Sequence, residues 1–250
     1  MLPTWACTAS GAAAKVRAGC SRQGAPQNGE WCGGAYHKFL RGVTMPGMAE
    51  KIDEIHHFWF GGCLDSVEKI KERFALWFSV CEEFDREVTA RFDLDVERAA
   101  AGEYDSWAGT PRGALALILL LDQFPRNIYR GTPRAFAHDE KALAHCLALS
   151  DSGGDLALSF IERVFALMPL QHAEDAEIQR LSVERFARLR EDAGAPFQEI
   201  ADGNHEYALL HKKIIHQFGR FPHRNKILQR ESTAEEEEYL RESGESFGQG

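Results

Sequence analysis

The sequence predicts an all-α fold, an array of antiparallel helical hairpins. Three observations carry that reading. From Ala49 onward no run of five or more residues alternates cleanly with period two, as a half-buried strand would. Helix starts and stops are clearly marked by capping residues, prolines and glycines. Most gaps between helical segments are short, which makes consecutive helices antiparallel neighbours.

Residues 1–47 differ from the rest of the chain. They are rich in Gly, Ala and Cys and carry five Lys/Arg against the single acid Glu30. That composition reads as a disordered extension, or as a start codon assigned too early with Met45 or Met48 as the first residue. A basic, acid-poor start also suits a transit peptide, but serine is sparse. Residues 48–250 read as one all-α domain. The expected helices lie near 49–58, 65–80, 81–100, 111–123, 133–150, 155–168, 170–192, 197–218 and 233–243.

The periodicity justifies each in turn. Phe74, Trp77, Phe78 and Cys81 form an apolar stripe on the early helices. Thr110-Pro111 and Thr132-Pro133 each set a capping hydroxyl before a first-turn proline. The segment 111–123 is apolar on every side, so it belongs in the middle of the fold. Phe160, Val164, Phe165 and Met168 make the stripe of the 155–168 helix. Tyr207, Leu210, Ile214, Ile215 and Phe218 make that of 197–218. Ser232/Thr233 precede four glutamates at 235–238, which suit the positive end of a helix dipole and read as a solvated first turn. Gly61-Gly62, Gly102, Gly153-Gly154, Gly194 and Gly219 mark stops.

The net charge of −9 argues against general nucleic-acid or anionic-membrane binding. The longest apolar run, Ala114 to Leu121, is too short to span a bilayer. The six cysteines form no C-x-x-C pair and match no zinc spacing, so they read as reduced thiols in a cytoplasmic protein. No H-E-x-x-H is present, and Glu54-Ile55-His56-His57 is a lone Glu-x-x-His. No metal is expected, and the sequence identifies no cofactor. Phosphate-loop, dinucleotide and serine-elbow motifs are missing.

Two segments about a hundred residues apart read almost alike. Gln123-Phe124-Pro125-Arg126-Asn127 and Gln217-Phe218-Gly219-Arg220-Phe221-Pro222-His223-Arg224-Asn225 each bring an apolar run to a proline corner bearing Arg and Asn. A proline ends or kinks a helix. The carbonyls left without partners there can be filled by Arg and Asn donors. Asp122 closes the buried helix and needs a partner; Arg126 is the nearest, which is either a lock on the corner or part of a ligand site.

In Met168-Pro169-Leu170-Gln171-His172-Ala173-Glu174-Asp175, His172 and Asp175 would share a helix face. An acid beside an imidazole builds a general base; equally, Glu174 and Asp175 suit a polar first turn. His211 lies in an apolar stripe, either as a core residue or as a ligand.

The blocks Phe58-Trp59-Phe60-Gly61, Leu119 to Asn127, Met168 to Asp175, and Phe218 to Asn225 with Arg230-Glu231-Ser232-Thr233 occur in that order. Together they resemble a widespread, mainly bacterial family classified as a domain of unknown function, similar to the tetratricopeptide-like helical superfamily. The resemblance covers roughly residues 49–243. It implies a right-handed, tetratricopeptide-like stack of helix pairs and no known reaction. Its signature residues fall on Asp122, Gln123, Arg126, Asn127, His172, Glu174, Asp175, His211, Arg220, His223, Arg224 and Asn225. Two positions depart from it. Gln229 stands where glycine is usual, which bears on the turn that aims Arg230, and Ala173 stands where serine is common. The tetratricopeptide consensus itself is not legible.

The expected site is a central pocket where the two corners and the His172 turn converge. Arg126, Arg220 and Arg224 would grip a small carboxylate or phosphate, with Gln123, Asn127, Glu174, His211, His223 and Asn225 around it. His172 backed by Asp175, with Asp122 nearby, would carry a proton. The alternative is a peptide-binding scaffold whose arginines clamp a peptide carboxylate. The blandest reading is an internal network that fixes helix corners.

Overall fold

A computed structural model describes residues 47–243 of the chain. The reading of residues 1–47 as an extension or a misassigned start lies, Gly47 apart, outside the described residues. Among the described residues there is no β-strand, and the fold is all-α.

Ten α-helices follow one another among the described residues: α1 Met48–Phe60, α2 Val67–Phe78, α3 Glu82–Ala100, α4 Pro111–Ile118, α5 Phe124–Ile128, α6 Asp139–Asp151, α7 Phe160–His172, α8 Ala176–Asp192, α9 Gln198–Phe218 and α10 Ala234–Ser243. Short 3-10 turns fill several of the gaps, among them Asp105–Gly109, Pro133–Phe136 and Pro222–Arg224. None of these helices is long and apolar enough to cross a membrane.

The core forms around the aromatic end of α1. Phe58, Trp59 and Phe60 are all buried. Trp59 packs against Phe124 at 5.4 Å and edge-on to Phe165 at 5.5 Å, and Phe92 meets Phe124 at 4.9 Å. Each such ring contributes about 1.5–3 kcal/mol on burial. Gly61 then ends α1 in the left-handed conformation at φ 56. The carbonyls of Phe58 and Trp59 accept from Arg73 of α2 at 2.6 and 2.8 Å, which caps the helix end.

The apolar segment 111–123 is central, as its composition requires. Leu115 through Leu121 have no measurable exposure. Thr110 caps α4 by accepting from the Gly113 N–H at 3.1 Å.

Three prolines do less than expected. The helix does not stop at Pro125: a π-helical turn over Leu119–Gln123 joins α4 to α5, with the Phe124 N–H reaching Leu119 O. Pro125 has no N–H to continue the ladder, and the widened turn absorbs its ring. Pro169 sits inside α7, which runs on to His172. The break expected at Pro169 therefore falls later, at 173–175. The Thr132 hydroxyl donates to Tyr129 O at 2.7 Å instead of capping, and Pro133 opens only a 3-10 turn. The helix expected at 133 begins at Asp139.

α9 ends at Gly219 in the left-handed region at φ 70. The chain then turns through Pro222–Arg224 into α10, which starts with a reciprocal cap between Thr233 and Glu236. The glutamate run is thus not wholly solvated: Glu236 is buried at 2% exposure.

Gln229 is the non-glycine residue with positive φ among the described residues, at 55. The turn still delivers Arg230 to Glu174, with N–O distances of 2.6 and 2.9 Å. A left-handed non-glycine backbone costs about 1–2 kcal/mol, partly offset in glycine by greater chain entropy. Gln229→Gly is therefore expected to raise stability by about 1 kcal/mol. Urea denaturation checks this; an unchanged or lower midpoint would show that the turn carries no strain.

Candidate functional site

The site is built where the π-helical turn, α5, α6, the end of α7 and the Pro222–Arg224 turn meet. Asp122 is at its centre with no exposure. His172 Nδ1 lies 2.6 Å from Asp122 Oδ1, and Arg126 Nη1 lies 3.0 Å from the same oxygen. The Gln123 side-chain amide donates to Asp122 Oδ2. Arg126 also donates to Asp122 O at 2.6 Å, so the expected guanidinium filling of a bared carbonyl is present.

A second carboxylate completes the arrangement. Both Asp139 oxygens accept from Arg126 at 2.9 Å, a bidentate pair, and Asp139 Oδ2 accepts from Arg224 Nη1 at 3.3 Å. Arg224 Nη2 donates to the His172 carbonyl at 3.0 Å. The Arg224 guanidinium lies over the Phe136 and Phe221 rings, 4.6 and 4.8 Å from their centroids. His211 and His223 flank Phe221 at 5.4 and 5.5 Å. Sequence reasoning does not single out Asp139 or Phe136. Each looks like an ordinary residue of a helix start, and no local pattern links it to residues 85 or more positions away.

Burial and charge set the protonation states. Burial alone would raise the Asp122 pKa, but Arg126, His172 and the Gln123 hydrogen bond hold it well below the carboxylate range. Burial, followed by Arg126, lowers that of His172 against the pull of Asp122. The imidazole is thus neutral at pH 7. With Nδ1–H donating to the Asp122 carboxylate, Nε2 is the atom able to accept a proton. Burial, His172 and Arg224 push His211 down to about 3, opposed by a hydrogen bond to the Tyr207 carbonyl. Burial and Arg224 push His223 to about 2. Burial lowers Arg224 to about 10, so it stays charged. His172 keeps 19% of its side-chain surface open, whereas Arg224 keeps 7%.

Several candidates stand elsewhere. Asp175 does not back His172; its carboxylate caps α8 by accepting from Ile178 N–H at 2.9 Å. The side chain of a residue three positions on from the imidazole faces a helix start, because α7 ends between them. Arg220 is outside the centre, with Nε and Nη2 on Glu236 at 2.7 and 2.9 Å. Asn225 donates to Ser232 and Glu236, both at 3.1 Å. Glu174 binds Arg230 and accepts from Phe221 N–H at 2.8 Å. These pairs tie the C-terminal segment down. Asn127 donates to Asp85 at 2.8 Å, beside the Arg130–Asp85 pair, and so locks the other corner to α3. The two corners therefore meet through Arg126 and Arg224, joined by Asp139.

A cavity of about 440 Å³ opens between α9 and α10, lined by Leu210, Ile214, Tyr239, Lys213, Glu235 and Glu238 among others. None of the candidate residues lines it. Among the described residues no cluster of His, Cys, Asp and Glu has metal-binding geometry.

A family model described as "Bacterial protein of unknown function (DUF924)" matches residues 55–244. The chain belongs to this family. All of the centre described above, from Asp122 to Arg224, falls inside the DUF924 match. A solved structure of a protein of unknown function from Agrobacterium tumefaciens is 36% identical, with a TM-score of 0.64, covering 78% of this chain and 99% of that one. No curated protein matches.

Proposed function

We propose that the DUF924 chain is an acid–base protein acting on a small acidic ligand, with His172 as proton carrier and Asp122 as the group that orients it. One observation carries the reading: a fully buried carboxylate sits 2.6 Å from Nδ1 of an imidazole that is itself partly open. That pairing fixes the tautomer and leaves Nε2 as the reactive atom. Arg126, Arg224 and Asp139 form its electrostatic frame. Arg126 and Arg220 already hold internal carboxylates, so a peptide clamp built on them has less support.

The right-handed, tetratricopeptide-like arrangement and a cytoplasmic location belong to the same proposal. The packing of sequential helices, α7 on α8 and α8 on α9, supports the first.

The test follows the histidine side-chain resonances by NMR while small carboxylates and phosphates are titrated in. Ligands that bind are expected to move the His172 imidazole signals, and His172→Gln is expected to weaken them at least tenfold, a loss of about 1.4 kcal/mol. Binding that leaves His172 undisturbed, for instance in the α9–α10 cavity, would refute the proposal.

A further inference from the structure

We infer that this centre takes a small monocarboxylate only together with one proton, which His172 Nε2 holds against the bound carboxylate. The inference rests on the acid–base reading above and adds the ligand class and its pH dependence.

The geometry is one of matched charges. Two guanidinium groups, Arg126 and Arg224, face two carboxylates, Asp122 and Asp139. Asp139 bridges both arginines, and Asp122 takes Arg126 and His172. Arg224 also donates to the His172 carbonyl. The two positive charges are thus balanced by the two negative ones. An added carboxylate would be an uncompensated charge in a mostly buried setting, at a cost of several kcal/mol.

An imidazole can supply the missing charge without breaking an ion pair. His172 is placed to do so. The groups around it are Asp122 from the π-helical turn, Arg126 from α5, Asp139 from α6, His211 from α9, and His223 and Arg224 from the C-terminal turn. Asp122 lies directly behind the ring and stabilises an imidazolium. His211 and His223 are held down by burial first, then by Arg224 and neighbouring imidazoles, which makes them poorer proton acceptors. The proton leaves the carboxylic acid, or solvent, and bonds to His172 Nε2. The carboxylate oxygen then accepts from that Nε2–H, and the ligand–imidazole pair is neutral overall. A phosphate dianion would need a second proton, so a monocarboxylate is preferred above neutral pH, where inorganic phosphate is mostly the dianion.

Calorimetry on the full chain with acetate and with inorganic phosphate tests this, run in two buffers of different ionisation enthalpy from about pH 6 to 8. Acetate is expected to bind with uptake of about one proton, with affinity falling up to tenfold per pH unit. NMR on the unaltered protein should show the His172 pKa rising on acetate addition, and His172→Gln should abolish the uptake. Saturable acetate binding that moves the His172 signals without proton uptake would overturn this inference and leave the acid–base reading intact. So would phosphate binding more tightly than acetate at about pH 8, where phosphate is mostly the dianion, or uptake that survives in His172→Gln. Saturable binding of neither probe at His172 would overturn both.

Discussion

Replacing Asp122 by alanine is expected to destabilise the protein by about 3–5 kcal/mol, the effect of removing one partner from a buried charge pair. The carboxylate has no exposure, and it is shared by Arg126 at 3.0 Å and His172 at 2.6 Å. Its loss leaves a guanidinium and an imidazole in an apolar helix packing, with Asp139 left to compensate. For a domain of this size, each kcal/mol shifts Tm by about 2–4 °C, so the melting temperature should fall by about 6–20 °C. Asp122→Asn separates charge from shape. It keeps an acceptor for Nδ1, so its stability should lie between those of the wild type and Asp122→Ala. It also removes the group that favours imidazolium, so the His172 pKa should drop further. Calorimetric melting and NMR titration measure both. A Tm unchanged in Asp122→Ala would mean that the carboxylate is not part of the frame.

Acid is expected to destabilise the protein before its carboxylates titrate. His211 and His223 are held at about 3 and about 2, far below the ordinary histidine value of 6.5. Below that ordinary value the unfolded chain binds protons that the folded chain refuses, so stability falls as pH falls. Each histidine contributes up to about 1.4 kcal/mol per pH unit in this window. Between about pH 6.5 and 5, buried His211 alone should remove about 2 kcal/mol; His223, being only half-buried, should remove less. Asp122 and Glu236 have depressed values too, and their contribution is lost at lower pH, as it falls through the carboxylate range. Denaturant midpoints measured from about pH 7 to 4 give the slope, and His211→Gln should flatten its upper part. A flat profile above pH 5 would show that these imidazoles titrate normally in the folded state.

Most of the helices were legible because their causes are local. The Thr110 cap, the Gly219 stop and the apolar segment 111–123 each depend on residues within a few positions. The Arg126 bond to the Asp122 carbonyl was legible for the same reason, since donor and acceptor are four residues apart. Local rules failed at the prolines. A proline stops a helix only when no alternative ladder is available, and the π-helical turn at 119–123 is such an alternative, held by packing on all sides.

By itself the sequence determined that the described residues are helical, where their buried helix lies, and which polar residue types gather at helix ends. Those features come from backbone geometry and from periodicity over one or two turns. Only the tertiary structure decided which charge meets which. His172 pairs with Asp122, fifty residues away, and not with Asp175 three residues on. Asp139 joins the two arginine corners, while Arg220, Asn225 and Glu174 serve to anchor the last helix. A carboxylate can satisfy any cation that packing brings to it, and the bonds between distant residues depend on where folding leaves each helix end.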